Sequence, residues 1–149
     1  MKTSMGYTKT FILAVTSLAC FACNAQKRKI TIAELPATAQ TFIKTNFPNQ
    51  ATSYIIEDKE ITKTEYKVQF TGGTEIEFDG KGNWEELDAN RGTLPASVLP
   101  KAIAAYVAQN YKGLSVEKLD RERYGYKLEF TNDLELEFDA NGKFLRIDD

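Results

Sequence analysis

The sequence predicts an α+β protein of two tandem units, each a short helix packed on a four-stranded antiparallel sheet. Three observations predict it. Residues recur in one order at a nearly constant offset, a helical apolar stripe opens each copy, and strict apolar–polar alternation follows the stripe.

The repeat comes first because it divides the chain. Leu35-Pro36 returns as Leu99-Pro100, Phe42-Ile43 as Tyr106-Val107 and Asn46-Phe47 as Asn110-Tyr111, all offset by 64. Tyr66, Val68 and Phe70 return as Tyr126, Leu128 and Phe130, Phe78-Asp79 as Phe138-Asp139, Gly82 as Gly142 and Trp84 as Phe144, offset by 60. One four-residue change within 51–65 reconciles the two offsets.

Each unit opens with a helix. Pro36 and Pro100 suit a helix start, where a missing N–H leaves no bond unmade. Ala39, Phe42 and Ile43, and likewise Ile103, Tyr106 and Val107, follow i, i+3, i+4 spacing and make one apolar stripe per helix. Asn46-Phe47-Pro48 stops the first, and Asn110 to Gly113 stops the second. So short a helix is marginal alone and must pack on something.

The partner is sheet. Tyr66, Val68 and Phe70 share one face of 65–71, and Ile76 and Phe78 share one face of 74–79; Tyr126, Leu128 and Phe130, then Leu134, Leu136 and Phe138, repeat the pattern. A weaker strand precedes each hairpin (54–57 and 116–120) and a last one follows (84–88 and 144–148). Side-chain parity predicts that Phe70 pairs with Ile76 around a Gly72-Gly73-Thr74 loop, and Phe130 with Leu136 around Asn132-Asp133-Leu134. That register sets Lys67 opposite Asp79, Lys127 opposite Asp139, and Glu129 opposite Glu137, the last a like-charge clash. In the turns at Asp79–Gly82 and Asp139–Gly142 the repeated glycine suits a left-handed position.

Residues 1–25 read as an address. Lys2 and Lys9 lead into the 12-residue apolar run Phe11 to Ala22, too short for a membrane span of about 20 residues and matched to the core of a secretory signal. The favoured cut lies before Gln26. The runner-up is a lipid anchor on Cys20 or Cys23, each of which follows an alanine. The expected location is therefore periplasmic or secreted, with a lipid-anchored envelope protein as the alternative and contact with membrane only in that case.

Residues 26–149 keep 17 of the 19 basic residues and all 21 acids, a net charge of about −4. Nucleic acid, which selects clustered Lys and Arg, is not an expected partner. Lys27-Arg28-Lys29 reads as a solvated linker. The sequence has no histidine, and its two cysteines lie in the leader, so His bases, Cys nucleophiles and zinc sites of the Cys/His kind are excluded from the body of the chain.

The run Leu-Pro…Phe-Ile…Asn-Phe-Pro from Leu35 to Pro48, followed by Gly-Thr-Glu-Ile-Glu-Phe-Asp from Gly73 to Asp79, then Gly82-Asn83-Trp84 and Leu87-Asp88, resembles the PepSY-like, β-lactamase-inhibitor-like family of bacterial envelope proteins. The resemblance covers about residues 30–149, one imperfect copy per repeat; Asn132-Asp133 stands for Gly72-Gly73, and Phe144 for Trp84. With the signal peptide expected at 1–25 and the linker at 26–33, it implies PepSY-like repeats at 34–92 and 93–149. It also implies inhibition or protein binding by analogy and carries no catalytic residues and no cofactor.

The residues give little chemistry of their own. Ser53, Ser97 and Ser115 stand in no G-x-S-x-G context and have no histidine to activate them. Asp79-x-Lys81-x-Asn83 faintly resembles a calcium loop, but Lys81 and Trp84 occupy ligand and glycine places, so a hairpin turn explains it better. Trp84 reads as a core plug. What remains is the wet sheet face, with Glu65, Lys67, Glu75 and Glu77 in the first unit and Lys127, Glu129, Glu135 and Glu137 in the second. The plain reading is a solvated face whose charges prevent sticking; the sharper one is an acidic platform for a basic partner or peptide. The expected function is a non-catalytic, extracytoplasmic protein-binding module that inhibits or modulates an envelope enzyme. The alternative is a small-ligand or cation-binding periplasmic protein.

Overall fold

The computed structural model describes residues 26–148. The expected signal segment at 1–25, with Cys20 and Cys23, lies outside them. Nine strands run in sequence order: β1 Gln26–Lys29, β2 Thr52–Lys59, β3 Thr64–Phe70, β4 Glu75–Asp79, β5 Trp84–Asp88, β6 Val116–Glu122, β7 Gly125–Phe130, β8 Glu135–Asp139 and β9 Phe144–Asp148. Helix α1, Ala37–Asn46, joins β1 to β2, and α2, Lys101–Asn110, joins β5 to β6, each after a short 3-10 turn.

Every strand pairs antiparallel with its sequence neighbour, so the two expected four-stranded sheets are one nine-stranded sheet. The reason is a row of aliphatic side chains, one per strand: Ile55, Val68, Ile76, Leu87, Leu119, Leu128, Leu136 and Ile147 pair in succession from β2 to β9. The row crosses the junction between units at Leu87–Leu119, and both leucines are fully buried. Splitting the sheet there would return them to water at roughly 1.5–3 kcal/mol each.

The expected linker is also sheet. Gln26–Lys29 is the edge strand β1, whose cations find acids on neighbouring chain: Lys27 Nζ lies 2.9 Å from Asp58, and Arg28 reaches Glu57 at 2.7 Å and Glu34 at 2.9 Å. β1 stands to α1 and β2 as β5 stands to α2 and β6, which accounts for the ninth strand.

Both helices lie on the same face of the sheet. Ala39 and Ile43 of α1, and Ile103 and Val107 of α2, are buried on it. Phe42 packs edge-on against Phe78 at 5.9 Å, and Tyr106 repeats this against Phe138 at 5.6 Å. Trp84 is buried against Phe42, in keeping with a core plug.

The hairpin register slips by two residues from the expected one. Val68 pairs with Ile76 and Leu128 with Leu136, while Phe70 N–H donates to the Thr74 carbonyl and Phe130 N–H to that of Leu134. The loops are therefore 71–73 and 131–133. A three-residue hairpin loop needs its left-handed residue last, and Gly73 (φ 100°) and Asp133 (φ 65°) fill that place. A slip of two keeps every side chain on its expected face. It sets Lys67 opposite Glu77 and Lys127 opposite Glu137, and the like-charge pair becomes Glu129–Glu135.

Candidate partner-binding face

The face away from the helices is built by parity. Two rows of paired positions cross it. One reads Lys29, Ile56, Lys67, Glu77, Glu86, Asp120, Lys127, Glu137, Arg146; the other reads Tyr54, Gln69, Glu75, Asp88, Lys118, Glu129, Glu135, Asp148. Nine acids stand there against five bases. All eight candidate residues, Glu65, Lys67, Glu75, Glu77, Lys127, Glu129, Glu135 and Glu137, lie on this face, with Glu65 beside the first row opposite Asp58.

Four further charged residues join it at the junction: Glu86, Asp88, Lys118 and Asp120, on β5 and β6. Sequence parity missed them because bulges break the alternation. Shifts at Glu77/Phe78 and at Val116/Lys118 leave one extra residue on β5 and β6, so Trp84 and Leu87, three apart, both face the core, as do Val116 and Leu119. An apolar spacing of three inside a strand was the available signal.

Lysines organise the face at three nodes. Lys67 Nζ lies 2.7 Å from Glu75 and 2.8 Å from Glu77. Lys127 Nζ lies 2.5 Å from Glu135 and 3.0 Å from Asp148. Lys118 Nζ lies 2.8 Å from Glu86 and 3.6 Å from Asp120. The hydrogen bonds from Lys67 and Lys127 to their acids raise both lysines well above the usual range. Arg146 clamps Glu137 through two bonds of 2.7 and 2.8 Å, and these hold the carboxyl below its ordinary value.

Asp120 is the outlier. Burial pushes its carboxyl up to about 6 against the pull of Lys118, and Glu86 and Glu122 add to the rise. Its Oδ1 is sealed from solvent and, among the described residues, has no hydrogen-bond donor. Glu129 is raised first by burial and then by Glu135 opposite it.

A shallow depression of about 430 Å³ opens in this face over the first unit, lined by Lys27, Tyr54, Ile56, Asp58, Glu65, Lys67 and Glu77. The Asp79 loop is a turn: Asp79 Oδ1 accepts the N–H of Lys81 at 2.8 Å and of Asn83 at 2.9 Å, Oδ2 accepts the Asn83 amide, and Asp139 Oδ1 repeats the first two bonds. Among the described residues no three of His, Cys, Asp or Glu form a group able to hold a metal.

A protein-family model described as "Putative beta-lactamase-inhibitor-like, PepSY-like" matches residues 22–65 and again 64–146. The chain belongs to the PepSY-like family. Solved structures resemble the chain over most of its length. A protein of Bacteroides thetaiotaomicron, described as a putative calcium-regulated periplasmic protein, is 34% identical with a TM-score of 0.77, over 83% of this chain and 97% of that one. A putative periplasmic protein of Bacteroides vulgatus from the DUF2874 family is 36% identical with a TM-score of 0.76, over 83% and 97%. Another from Bacteroides vulgatus, described as of unknown function, is 34% identical with a TM-score of 0.75, over 83% and 100%. No curated protein matches the chain. The two PepSY-like matches meet within β3, inside the continuous sheet.

Proposed function

We propose that this PepSY-like chain is a non-catalytic protein-binding module that works outside the cytoplasm, inhibiting or modulating an envelope enzyme through its outer sheet face. The observation that carries the reading is that face: nine strands wide, covered by neither helix, and carrying nine acids against five bases along its two rows. The inhibitor-like family description and relatives described as periplasmic support it, as does the secretory character of residues 1–25. No helix among the described residues is long and apolar enough to cross a membrane. Ser53, Ser97 and Ser115, with no histidine to activate them, and surface carboxylates already held in ion pairs favour the non-catalytic reading.

Crosslinking in the native envelope tests it, comparing the unaltered chain with a variant in which Glu75, Glu77, Glu135 and Glu137 are all lysine. A partner captured by the first and lost by the second is the expected result. An identical set of partners from both sinks the outer-face reading.

A cation-binding role is the second reading, favoured by the calcium-regulated description of the Bacteroides thetaiotaomicron relative. A rise in melting temperature on adding calcium would support it; an unmoved melting curve would count against it.

A further inference from the structure

On the outer face the two units differ in polarity where β2 and β6 lie. In the first, β2 carries Tyr54 opposite Gln69 and Ile56 opposite Lys67. The matching places on β6 are Lys118 opposite Glu129 and Asp120 opposite Lys127. Where the second unit has a lysine–aspartate pair, the first has two apolar side chains and the depression of about 430 Å³ over them.

Charge selects what could enter. Asp58, Glu65 and Glu77 bring three carboxylates to the lining, and Lys27 and Lys67 bring two ammonium groups. Both ammonium groups are engaged, Lys27 with Asp58 Oδ2 at 2.9 Å and Lys67 with Glu75 and Glu77. Asp58 Oδ1 is sealed from solvent, so a group entering the depression meets this carboxylate through Oδ2. An anion would meet an excess of carboxylates whose neighbouring cations are already paired. A bare metal ion would leave Tyr54 and Ile56 without a role.

We infer that this depression receives one cationic side chain of the partner, an arginine or lysine whose alkyl stem lies on Tyr54 and Ile56 and whose head donates to Asp58. The inference rests on the outer face being the protein-binding face, and it names the residue chemistry that the face reads. Long cationic side chains bring an apolar stem and a charged head together, which is the combination found here and absent from the second unit.

The test is a nuclear magnetic resonance titration of the ¹⁵N-labelled full chain with the blocked peptide Gly-Arg-Gly, its neutral citrulline counterpart, and calcium chloride alone. The arginine peptide is expected to move the amides of Ile56 and Asp58, and citrulline to bind about tenfold more weakly. Asp58→Asn should weaken binding several-fold. The double change Tyr54→Lys with Ile56→Asp, which copies residues the fold already accommodates in the second unit, should abolish it. Equal binding of citrulline, a response unmoved by the double change, or a response of the same amides to calcium alone overturns the inference. Arginine binding elsewhere on the outer face overturns the pocket while leaving the protein-binding reading intact. A crosslinked partner mapped to the helix side overturns both.

Discussion

Leu87 of β5 pairs directly with Leu119 of β6, and neither exposes any surface. One leucine belongs to each unit, so the contact makes the stability of either unit depend on the other. Trp84, the only tryptophan, reinforces the junction by packing 6.1 Å from Tyr126 and carrying the Arg121 guanidinium 4.3 Å above its ring. Leu119→Ala is expected to lower stability by about 2–5 kcal/mol, the usual range for a buried leucine truncated to alanine. The measurement is urea unfolding followed by both Trp84 fluorescence and circular dichroism. Coincident, equally shifted transitions are expected although the change lies in the second unit. A Trp84 transition that stays at its original midpoint would show that the units unfold separately.

Gly82 is held for two reasons that substitution can separate. Its φ is +84°, and an added Cβ would stand 2.8 Å from Pro36 Cβ and 2.9 Å from Ala39 N, at the start of α1. Gly73 has φ +100° and open space around a Cβ. Gly73→Ala should therefore cost only the left-handed backbone, about 1–2 kcal/mol. Gly82→Ala adds overpacking against the helix and should reach roughly 2–4 kcal/mol. Thermal melts of the two variants check the order; equal losses would mean that the helix start yields freely.

Asp79 uses its carboxylate to close the β4–β5 turn. Burial pushes the group up, but the hydrogen bonds from the Asn83 side chain and from the backbone of Asn83, Lys81 and Gly82 outweigh it and hold Asp79 below the ordinary carboxylate range. Its stabilisation is present above the ordinary aspartate value and is lost as pH falls through the lower folded value. Asp79→Ala should cost about 1–2 kcal/mol at neutral pH, and its difference from the unaltered chain should shrink in acid. Denaturation at a series of pH values reads this; a difference independent of pH would mean that the ionised form contributes nothing.

The repeat, the helices and the faces of the hairpin strands were legible because each rests on periodicity, which a sequence displays directly. The hairpin register was not. Parity is satisfied equally by Phe70 opposite Ile76 and by a slip of two, and the first choice placed Gly72-Gly73 at the head of the loop, whereas the geometry needs its left-handed residue last, a place that Asp133 fills in the second unit without any glycine to announce it. Lys27-Arg28-Lys29 looked like solvent-facing linker because an edge strand braced by Glu57, Asp58 and Glu34 has no apolar alternation to show. Glu86, Asp88, Lys118 and Asp120 stayed hidden behind bulges that shift parity by one. The merging of the sheets depended on Leu87 meeting Leu119, a contact that spacing within either unit does not encode.

Asp120 gives the outer face a pH response of opposite sign to that of Asp79. Burial raises its folded value to about 6, above the 3.8 of an unperturbed aspartate, so between those values the folded protein binds more protons than the unfolded chain. Stability associated with this group must then fall as pH rises through that window and be greatest below it. Asp120→Asn removes the charge that burial and Glu86 oppose while keeping the shape of the side chain. The variant should melt higher than the unaltered chain at neutral pH, by on the order of a few degrees, and the gain should disappear near pH 4, where Asp120 itself is protonated in the fold. Lys118 opposes the gain, since it loses a partner 3.6 Å away, but it keeps Glu86 at 2.8 Å. Melting curves of both proteins across this pH range decide the matter. A variant less stable than the unaltered chain at neutral pH would show that the attraction to Lys118 outweighs the burial of the aspartate charge.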